Sequence, residues 1–426
     1  MRISSKQVQT GLIIVTGSLM PIFFIPLYAG IDLNGIAALI FVGVTLIYLN
    51  EALARAELVV FIIVPWIIIL LIYLISGAFL GVRSSLFPFI AQCVFMLGAI
   101  GVGLSLSKLW FQDNGPEKIM KFSTAMSLSF FTLLIATAPL ENLIGMVSNL
   151  TNPIAAVWHS RRAFSPYSFV GGVSAEDLSS FQNRIAQHMF TYGLFVCALS
   201  MIARQKLKSG WIEYSFNLIS SAFMIIMSII LLSGQALGEL LIVTLFCGAS
   251  YLVYRTNYYF IISLIVIFIA FAISIPWVVN TDLYAEWFGR FSGGNISTGR
   301  TDRWAMYLRI NDGFTFLGMD RPNTLDPHNF YIALLYESGP LAVCALLVFS
   351  LYMLIRPFIK LRRGVEIYGF PYLIMMSVGP QVVFVTMIGG GWGMPGLAEW
   401  FKVGLFIFGT QLTPGLKFIW PKKGPL

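Results

Sequence analysis

Apolar residues run along this chain in blocks long enough to cross a bilayer, separated by short polar stretches. A membrane-spanning helix needs roughly 20 predominantly apolar residues. The pattern predicts twelve spans, near residues 11–30, 34–50, 58–76, 87–109, 122–139, 185–203, 212–232, 236–254, 258–279, 330–355, 369–388 and 396–413. The first follows a basic start, but its apolar stretch is too long for a signal peptide. We therefore expect it to remain as an uncleaved span.

The composition agrees with this pattern. Hydrophobic residues make up 58% of the chain, charged residues 11%, and the mean hydropathy is +0.82. A soluble domain has about 45–50% apolar and about 25% charged residues. The sequence therefore predicts an all-α polytopic membrane protein with about twelve transmembrane helices, in which residues 1–426 form a single membrane domain.

Positive charge is distributed unevenly between the connections. The chain has 27 Lys+Arg against 19 Asp+Glu, and 17 of the cations fall in one alternating set of short connections and tails. Cytoplasmic loops carry an excess of lysine and arginine, so this set is predicted to be cytoplasmic, together with both termini. Topology therefore accounts for the basic balance, and we expect no nucleic-acid partner.

Two connections on the opposite, periplasmic side are long, at residues 140–184 and 280–329. Long loops in compact proteins are usually functional or disordered. Both are rich in aromatic residues, which favour packing or the membrane interface. We therefore expect the functional site on this side of the membrane.

Arginine is frequent on the periplasmic side, whereas lysine is absent from both long loops. Arginine grips phosphate oxygens through a planar fork, while lysine acts more as a point charge. Salt bridges to acidic residues of the same loops are the alternative, and we expect them to hold some of these arginines. The rest predict an anionic ligand at the membrane surface. The arginines are Arg83, in the turn after the third span, and Arg161, Arg162, Arg184, Arg290, Arg300, Arg303, Arg309 and Arg321.

The segment STGRTDRWAMYLRINDGF, residues 297–314, predicts a short amphipathic helix in the second loop. Arg300, Arg303 and Tyr307 would share one face of it. Such a helix can lie along the outer membrane interface and present its arginines to a lipid headgroup.

The tenth span begins at the sequence DPHNF. Asp326 suits the N-cap, Pro327 suits the first helical position, and His328 with Asn329 would then lie in the first turn. Free backbone N–H groups and the positive helix dipole favour an anion there. A helix from 328 to 355 would be about 42 Å long, longer than the ~30 Å hydrocarbon core, so its first turns should stand at the outer surface.

The residues TGRTDRW, FLGMD and HNFYIALLYESGPLA, within 297–342, resemble the O-antigen ligase and polymerase superfamily. That pattern has an arginine before a tryptophan, an outer loop ending in His-Asn, and a helix with Glu-x-Gly. One position departs from it: where members often carry Ser-Arg-Gly between two middle spans, this chain has Ser233-Gly234-Gln235.

The resemblance implies a GT-C-like fold and an inverting glycosyltransferase, independent of metal and without a cofactor, at the periplasmic face of a bacterial inner membrane. The donor would be a glycan on undecaprenyl pyrophosphate, and the acceptor a sugar of lipid A–core, which makes the chain an O-antigen ligase. His328 would take the acceptor proton or bind phosphate. Substrate contacts would come from Asn329 and the arginines Arg83, Arg161, Arg162, Arg184, Arg300, Arg303 and Arg321.

Other functions stay open at the level of sequence. An O-antigen polymerase would use the same donor, and a protein O-oligosaccharyltransferase belongs to the same superfamily. A flippase for the lipid-linked glycan would need polar groups along a path through the membrane. The predicted spans offer Glu239, Glu399 and Lys402 for such a path. The oligomeric state is not predicted.

Overall fold

A computed structural model describes residues 11, 43, 46–80, 86–137, 175–230, 234–254, 304–307, 315–318, 329–388 and 397–413. Within these ranges the chain is helical apart from turns and one isolated bridge, Thr315↔Gly318. The long helices are α1 (Val64–Leu80), α2 (Leu86–Trp110), α3 (Gly115–Thr137), α4 (Ala175–Arg204), α5 (Trp211–Ile230), α6 (Gly234–Tyr254), α7 (Phe330–Tyr368), α8 (Phe370–Ile388) and α9 (Leu397–Leu412). A helical turn, Ala56–Leu58, and a π-helical turn, Val59–Ile63, extend α1 backwards.

These nine helices coincide with nine of the twelve predicted spans. Five stretches are long and apolar enough to cross a membrane, and they lie in α1, α2, α4, α7 and α8. The predicted spans 11–30, 34–50 and 258–279 lie wholly or largely outside the described residues. The described part of the chain is thus that of an all-α membrane protein.

Helix α4 is longer than the hydrophobic pattern predicts. It begins at Ala175, so the last ten residues of the predicted loop 140–184 are helical, and Arg184 lies on a helix rather than in a loop. The added residues, AEDLSSFQNR, are polar, which is why the apolar pattern missed them. A helix can extend past its apolar part wherever water or polar neighbours surround it.

Helices α1 and α7 pack antiparallel over most of their length. At one end Glu57, just before α1, accepts a hydrogen bond of 2.8 Å from the Tyr352 hydroxyl and pairs with Arg356. Further along, the rings of Phe61 and Tyr352 stack with centroids 5.1 Å apart. This register brings Ser76, near the far end of α1, beside Glu337.

Several described residues that the charge pattern assigns to the cytoplasm lie together at the Glu57 end of the bundle. Arg55 and Lys108 both pair with Glu51, and Arg55 also donates to Gln411 at the end of α9. Lys360 donates to the Thr413 carbonyl at 3.0 Å. The connections that should share one side of the membrane therefore do share one end of the fold.

Helix α7 is broken at Gly339 and folds back on itself. Gly339 has φ 76° and ψ −178°, and Pro340 follows it. The Tyr331 hydroxyl lies 2.5 Å from Ser350 Oγ, although 19 residues of straight helix would separate them by about 28 Å. Phe330–Ser338, called here the re-entrant arm, therefore runs antiparallel to the rest of α7.

The fold-back explains why α7 contains more residues than are needed to cross the hydrocarbon core. From Pro340 to Leu361, the last residue of the apolar stretch, the helix rises about 33 Å, which matches the ~30 Å hydrocarbon core. From the sequence alone, the added length predicts that the first turns of the helix stand at the outer surface. In the structure the added residues form the arm instead.

Candidate active site

Most of the predicted site residues lie outside the described part of the chain. These are His328, Arg83, Arg161, Arg162, Arg300, Arg303 and Arg321. The backbone of Arg184 is described as part of α4, but its side chain is not. The described part of the candidate site therefore consists of Asn329 and of residues that flank the others in sequence.

Asn329 is the N-cap of α7, and the predicted helix start was wrong by three residues. Its backbone is extended, and its Oδ1 accepts a hydrogen bond of 3.1 Å from the N–H of Ile332. Asparagine is among the strongest N-caps, so it fixes the helix start in place of Asp326. Asn329 is 7% exposed, and its Nδ2, which takes no part in the cap, carries two N–H donors.

The start of α7 lies deep in the bundle and not at its outer surface. The Phe330 ring stacks on Trp66, with centroids 6.0 Å apart, and Phe330 is 2% exposed. Trp66 precedes Ser76 by ten residues, which is about 15 Å along α1. The fold-back at Gly339 is the physical reason, because it turns the first residues of α7 inward.

Four aromatic rings meet at this depth and form the aromatic cluster: Trp66, Phe330, Phe349 and Trp400. Trp66 contacts Phe349 at 5.7 Å and Trp400 at 4.8 Å between centroids, both edge-on. The Trp400 indole donates a hydrogen bond of 2.8 Å to Gln92 of α2. The cluster joins α1, α7 and α9 at Phe330, the residue that follows Asn329.

A buried polar network lies next to this cluster, on α4, α6 and α9. Lys402 Nζ is 2.6 Å from Glu239 Oε2, and the two side chains are 1% and 0% exposed. Gln187 donates to Glu399, one residue before Trp400. All four residues are buried. In an apolar environment such charges persist only when paired, so the network locks the three helices together.

At the opposite end of the arm, three segments meet in a contact that we call the outer clasp: Ser76, the turn Thr315–Gly318, and Glu337–Gly339. Ser76 Oγ lies 2.7 Å from the Leu317 carbonyl and 2.6 Å from the Glu337 carbonyl. Beside the clasp, the rings of Tyr307 and Tyr336 meet edge-on with centroids 5.1 Å apart. Tyr307 is 1% exposed, so the helical turn 304–307 is anchored to the arm.

Sequence reasoning missed the clasp, the arm and the pairing within the polar network. The triplet Ser-Gly-Pro at 338–340 was a signal for the break, because Gly and Pro mark turns inside otherwise apolar runs. In the sequence, Glu239, Glu399 and Lys402 are isolated polar residues within predicted spans. The pairing of Lys402 with Glu239 across 163 residues has no local signal.

No family model matches this sequence, and no curated protein matches it significantly. Support for a function therefore comes from the sequence pattern and from the geometry described above.

Proposed function

We propose that this protein is an O-antigen ligase. It would transfer a glycan from undecaprenyl pyrophosphate to a sugar hydroxyl of lipid A–core, with inversion and without a metal ion. The enzyme would work at the periplasmic face of a bacterial inner membrane, among membrane lipids, with both termini in the cytoplasm and a GT-C-like fold.

The observation that carries this proposal is that the described residues of the family-like segment meet at one end of the re-entrant arm. The helical turn 304–307 begins at Trp304, the last residue of the first part, and its Tyr307 contacts Tyr336 of the third part. The turn at FLG from the second part packs against Glu337–Gly339. A shared catalytic pattern supports one site best when its parts come together in space.

The anchors of the outer clasp also lie close in sequence to the proposed phosphate-binding arginines. Arg303 and Arg300 precede Tyr307 by four and seven residues, a spacing that puts them on its face if the predicted helix holds. Arg321 follows Gly318 by three residues, and Arg83 follows Ser76 by seven. This spacing supports a pyrophosphate site built from arginines of separate segments near the clasp.

The proposed chemistry uses these groups at the leaving group and the acceptor. As the glycosidic bond breaks, negative charge grows on the pyrophosphate, and preorganised arginines stabilise that charge where it develops. His328 accepts the acceptor proton while the hydroxyl attacks the sugar carbon. Asn329 donates from Nδ2 to a substrate oxygen, because its Oδ1 is already engaged in capping. Arg161, Arg162 and Arg184 provide further contacts to the donor or acceptor.

The test is a transfer assay with purified protein, undecaprenyl-pyrophosphate glycan and EDTA, with and without lipid A–core. Product that forms only when lipid A–core is present supports a ligase. Elongation of the lipid-linked glycan would identify a polymerase. In a parallel reaction with an added acceptor protein, glycosylation of that protein would identify an O-oligosaccharyltransferase. With verified substrates, the absence of all three products would refute all three functions.

The roles of His328 and the arginines are tested by measuring donor affinity and transfer rate separately. His328→Ala should lower transfer by roughly 10²–10⁴-fold while donor binding persists. Weakened donor binding would make His328 a phosphate ligand, and full activity would remove it from the mechanism. Arg300→Ala and Arg303→Ala should each lower transfer, with only partial recovery in the lysine variants. Wild-type rates in both folded alanine variants would exclude the phosphate role.

The polar network favours the enzyme over a flippase. A transport path needs polar groups that face a passage, whereas Glu239, Glu399 and Lys402 are buried against one another and Gln187. Cells that lack a ligase should accumulate lipid-linked glycan on the outer leaflet. Accumulation on the inner leaflet would instead support a flippase.

A further inference from the structure

The outer clasp joins three distant segments through a single side-chain hydroxyl. Ser76 is completely buried, and its Oγ is within hydrogen-bonding distance of two carbonyls, those of Leu317 and Glu337. A serine hydroxyl has one proton, so the two carbonyls share a three-centre bond. Residue Ser76 thereby ties α1, the Thr315–Gly318 turn and the re-entrant arm at one point.

The Thr315–Gly318 turn fits against the break in α7 only because glycine stands at both contact positions, Gly318 and Gly339. A Cβ on Gly339 would lie 2.1 Å from the Phe316 carbonyl oxygen, and a Cβ on Gly318 would lie 2.2 Å from the Tyr336 carbonyl oxygen. Both distances are far inside van der Waals contact. Both glycines also have positive φ, 97° at Gly318 and 76° at Gly339, which other residues rarely adopt. Any side chain at either position must push the turn out of the break.

The re-entrant arm connects this clasp to the proposed catalytic end of α7. The arm is a nine-residue helix about 13 Å long, with the clasp at Glu337–Gly339 and Asn329 at its other end. A tilt of about 5° at the clasp displaces the far end by roughly 1 Å. A misplacement of about 1 Å, caused by a change far from the chemistry, can lower a rate by about 10²-fold.

We propose that the outer clasp is a positioning device for the reaction, with Ser76 as a positioning residue that acts through the re-entrant arm. Ser76 does not contact substrate. It fixes the angle of the arm relative to α1 and to the turn of the second periplasmic loop. The end of the arm at Asn329, the residue that follows His328 in sequence, is thereby held in place for the reaction. This inference rests on the proposed function for its consequence in transfer, but the clasp itself can be measured without any activity.

The experiment compares Ser76→Ala, Ser76→Thr and Gly339→Ala with two matched controls. Ser228→Ala removes a buried hydroxyl that donates to the Ile225 carbonyl of its own helix, and Gly248→Ala adds a methyl group at a position where the described residues of other segments leave open space. For each variant three quantities are measured: donor affinity, transfer rate per folded protein, and hydrogen exchange at the amides of Thr315 and Gly318. These amides bond to each other's carbonyls across the turn at 2.9 and 3.0 Å.

Gly339→Ala should raise exchange at the turn by on the order of tenfold and lower the transfer rate by about 10²-fold. Ser76→Ala should lower transfer by about tenfold with donor affinity unchanged within about threefold, and Ser76→Thr should recover most of the rate. Both controls should behave as wild type. A merely structural role would reduce the amount of folded protein and leave the rate per folded molecule unchanged.

Three results would overturn the proposal. Unchanged exchange at the turn in Gly339→Ala would mean that the break does not hold the turn. Raised exchange with a wild-type transfer rate would mean that the clasp holds the turn but does not position the reaction. If wild-type protein transfers no glycan at all, the proposed function fails and the positioning role falls with it, while the exchange data still decide whether the clasp exists.

Discussion

Replacing Phe330 by alanine tests the fold-back of α7 most directly. Phe330 is the first residue of the helix, 2% exposed, and stacked on Trp66 within the aromatic cluster. Removing a buried phenylalanine side chain typically costs 3–5 kcal/mol. In a membrane the loss comes mainly from packing and not from transfer out of water, so we expect about 3 kcal/mol, the lower end of that range.

A straight α7 gives a very different expectation for the same substitution. Phe330 would then lie about 28 Å from the level of Phe349 and would stand at the outer end of the helix. Substitutions at such exposed positions usually change stability by no more than about 0.5 kcal/mol. The two arrangements therefore differ by more than 2 kcal/mol in the expected effect of one substitution.

The measurement is the free energy of unfolding in mixed micelles, with Phe370→Ala as the matched control. Phe370 is also the first residue of a helix, α8, but it is 49% exposed. Phe330→Ala should destabilise the protein by about 3 kcal/mol and Phe370→Ala by about 0.5 kcal/mol or less. Equal effects of the two substitutions would refute the fold-back.

The fold-back also predicts that the effects of Tyr331→Phe and Ser350→Ala on the free energy of unfolding differ from additivity by about 1 kcal/mol in the double variant. Additive effects would contradict the contact between the two side chains. Lys402→Met should lower the free energy of unfolding by about 3–5 kcal/mol, because Glu239 stays buried without its partner, and the double variant with Glu239→Leu should recover most of it. If the double variant is as unstable as the single one, the ion pair is not the cause. Partial burial alone would raise the pKa of Glu51, but hydrogen bonds and charges from its basic partners outweigh this and lower it. The stabilisation from Glu51 is therefore present above the ordinary carboxyl pKa and is lost as the pH falls through the lowered value. The melting temperature is measured as a function of pH. In Glu51→Gln it should fall less steeply at acid pH than in the wild type, and an identical pH dependence would exclude a contribution of Glu51 to stability.

The positions of the helices could be predicted because apolar length alone identifies a membrane span. Even so, the predicted starts of helices α4 and α7 were wrong, because each start depends on something other than hydrophobicity. At α4 the helix continues through ten polar residues. At α7 the N-cap is Asn329, although by residue type Asp326 is an equally good N-cap.

The depth of the candidate site could not be predicted, because it depends on contacts between distant residues. The helix break at Gly339 reverses the direction of the nine residues before it, and it places the start of α7 at the level of Trp66 instead of at the surface. Glycine inside a helical pattern usually means only a modest loss of helix stability. The tertiary contacts with Trp66, Ser76 and Gly318 are what turn it into a sharp reversal.

The pairing of Lys402 with Glu239 has a consequence for the biosynthesis of the protein. Helix α9 is only 16 residues long and carries both Glu399 and Lys402. A lysine near the centre of an inserting helix costs about 2.5–3.5 kcal/mol at the translocon. Glu239 is made 163 residues earlier, roughly 8–30 s at ordinary rates of translation. We therefore expect α6 to enter the bilayer before α9, so that its carboxylate offsets part of the cost when the last described helix leaves the ribosome and joins the bundle.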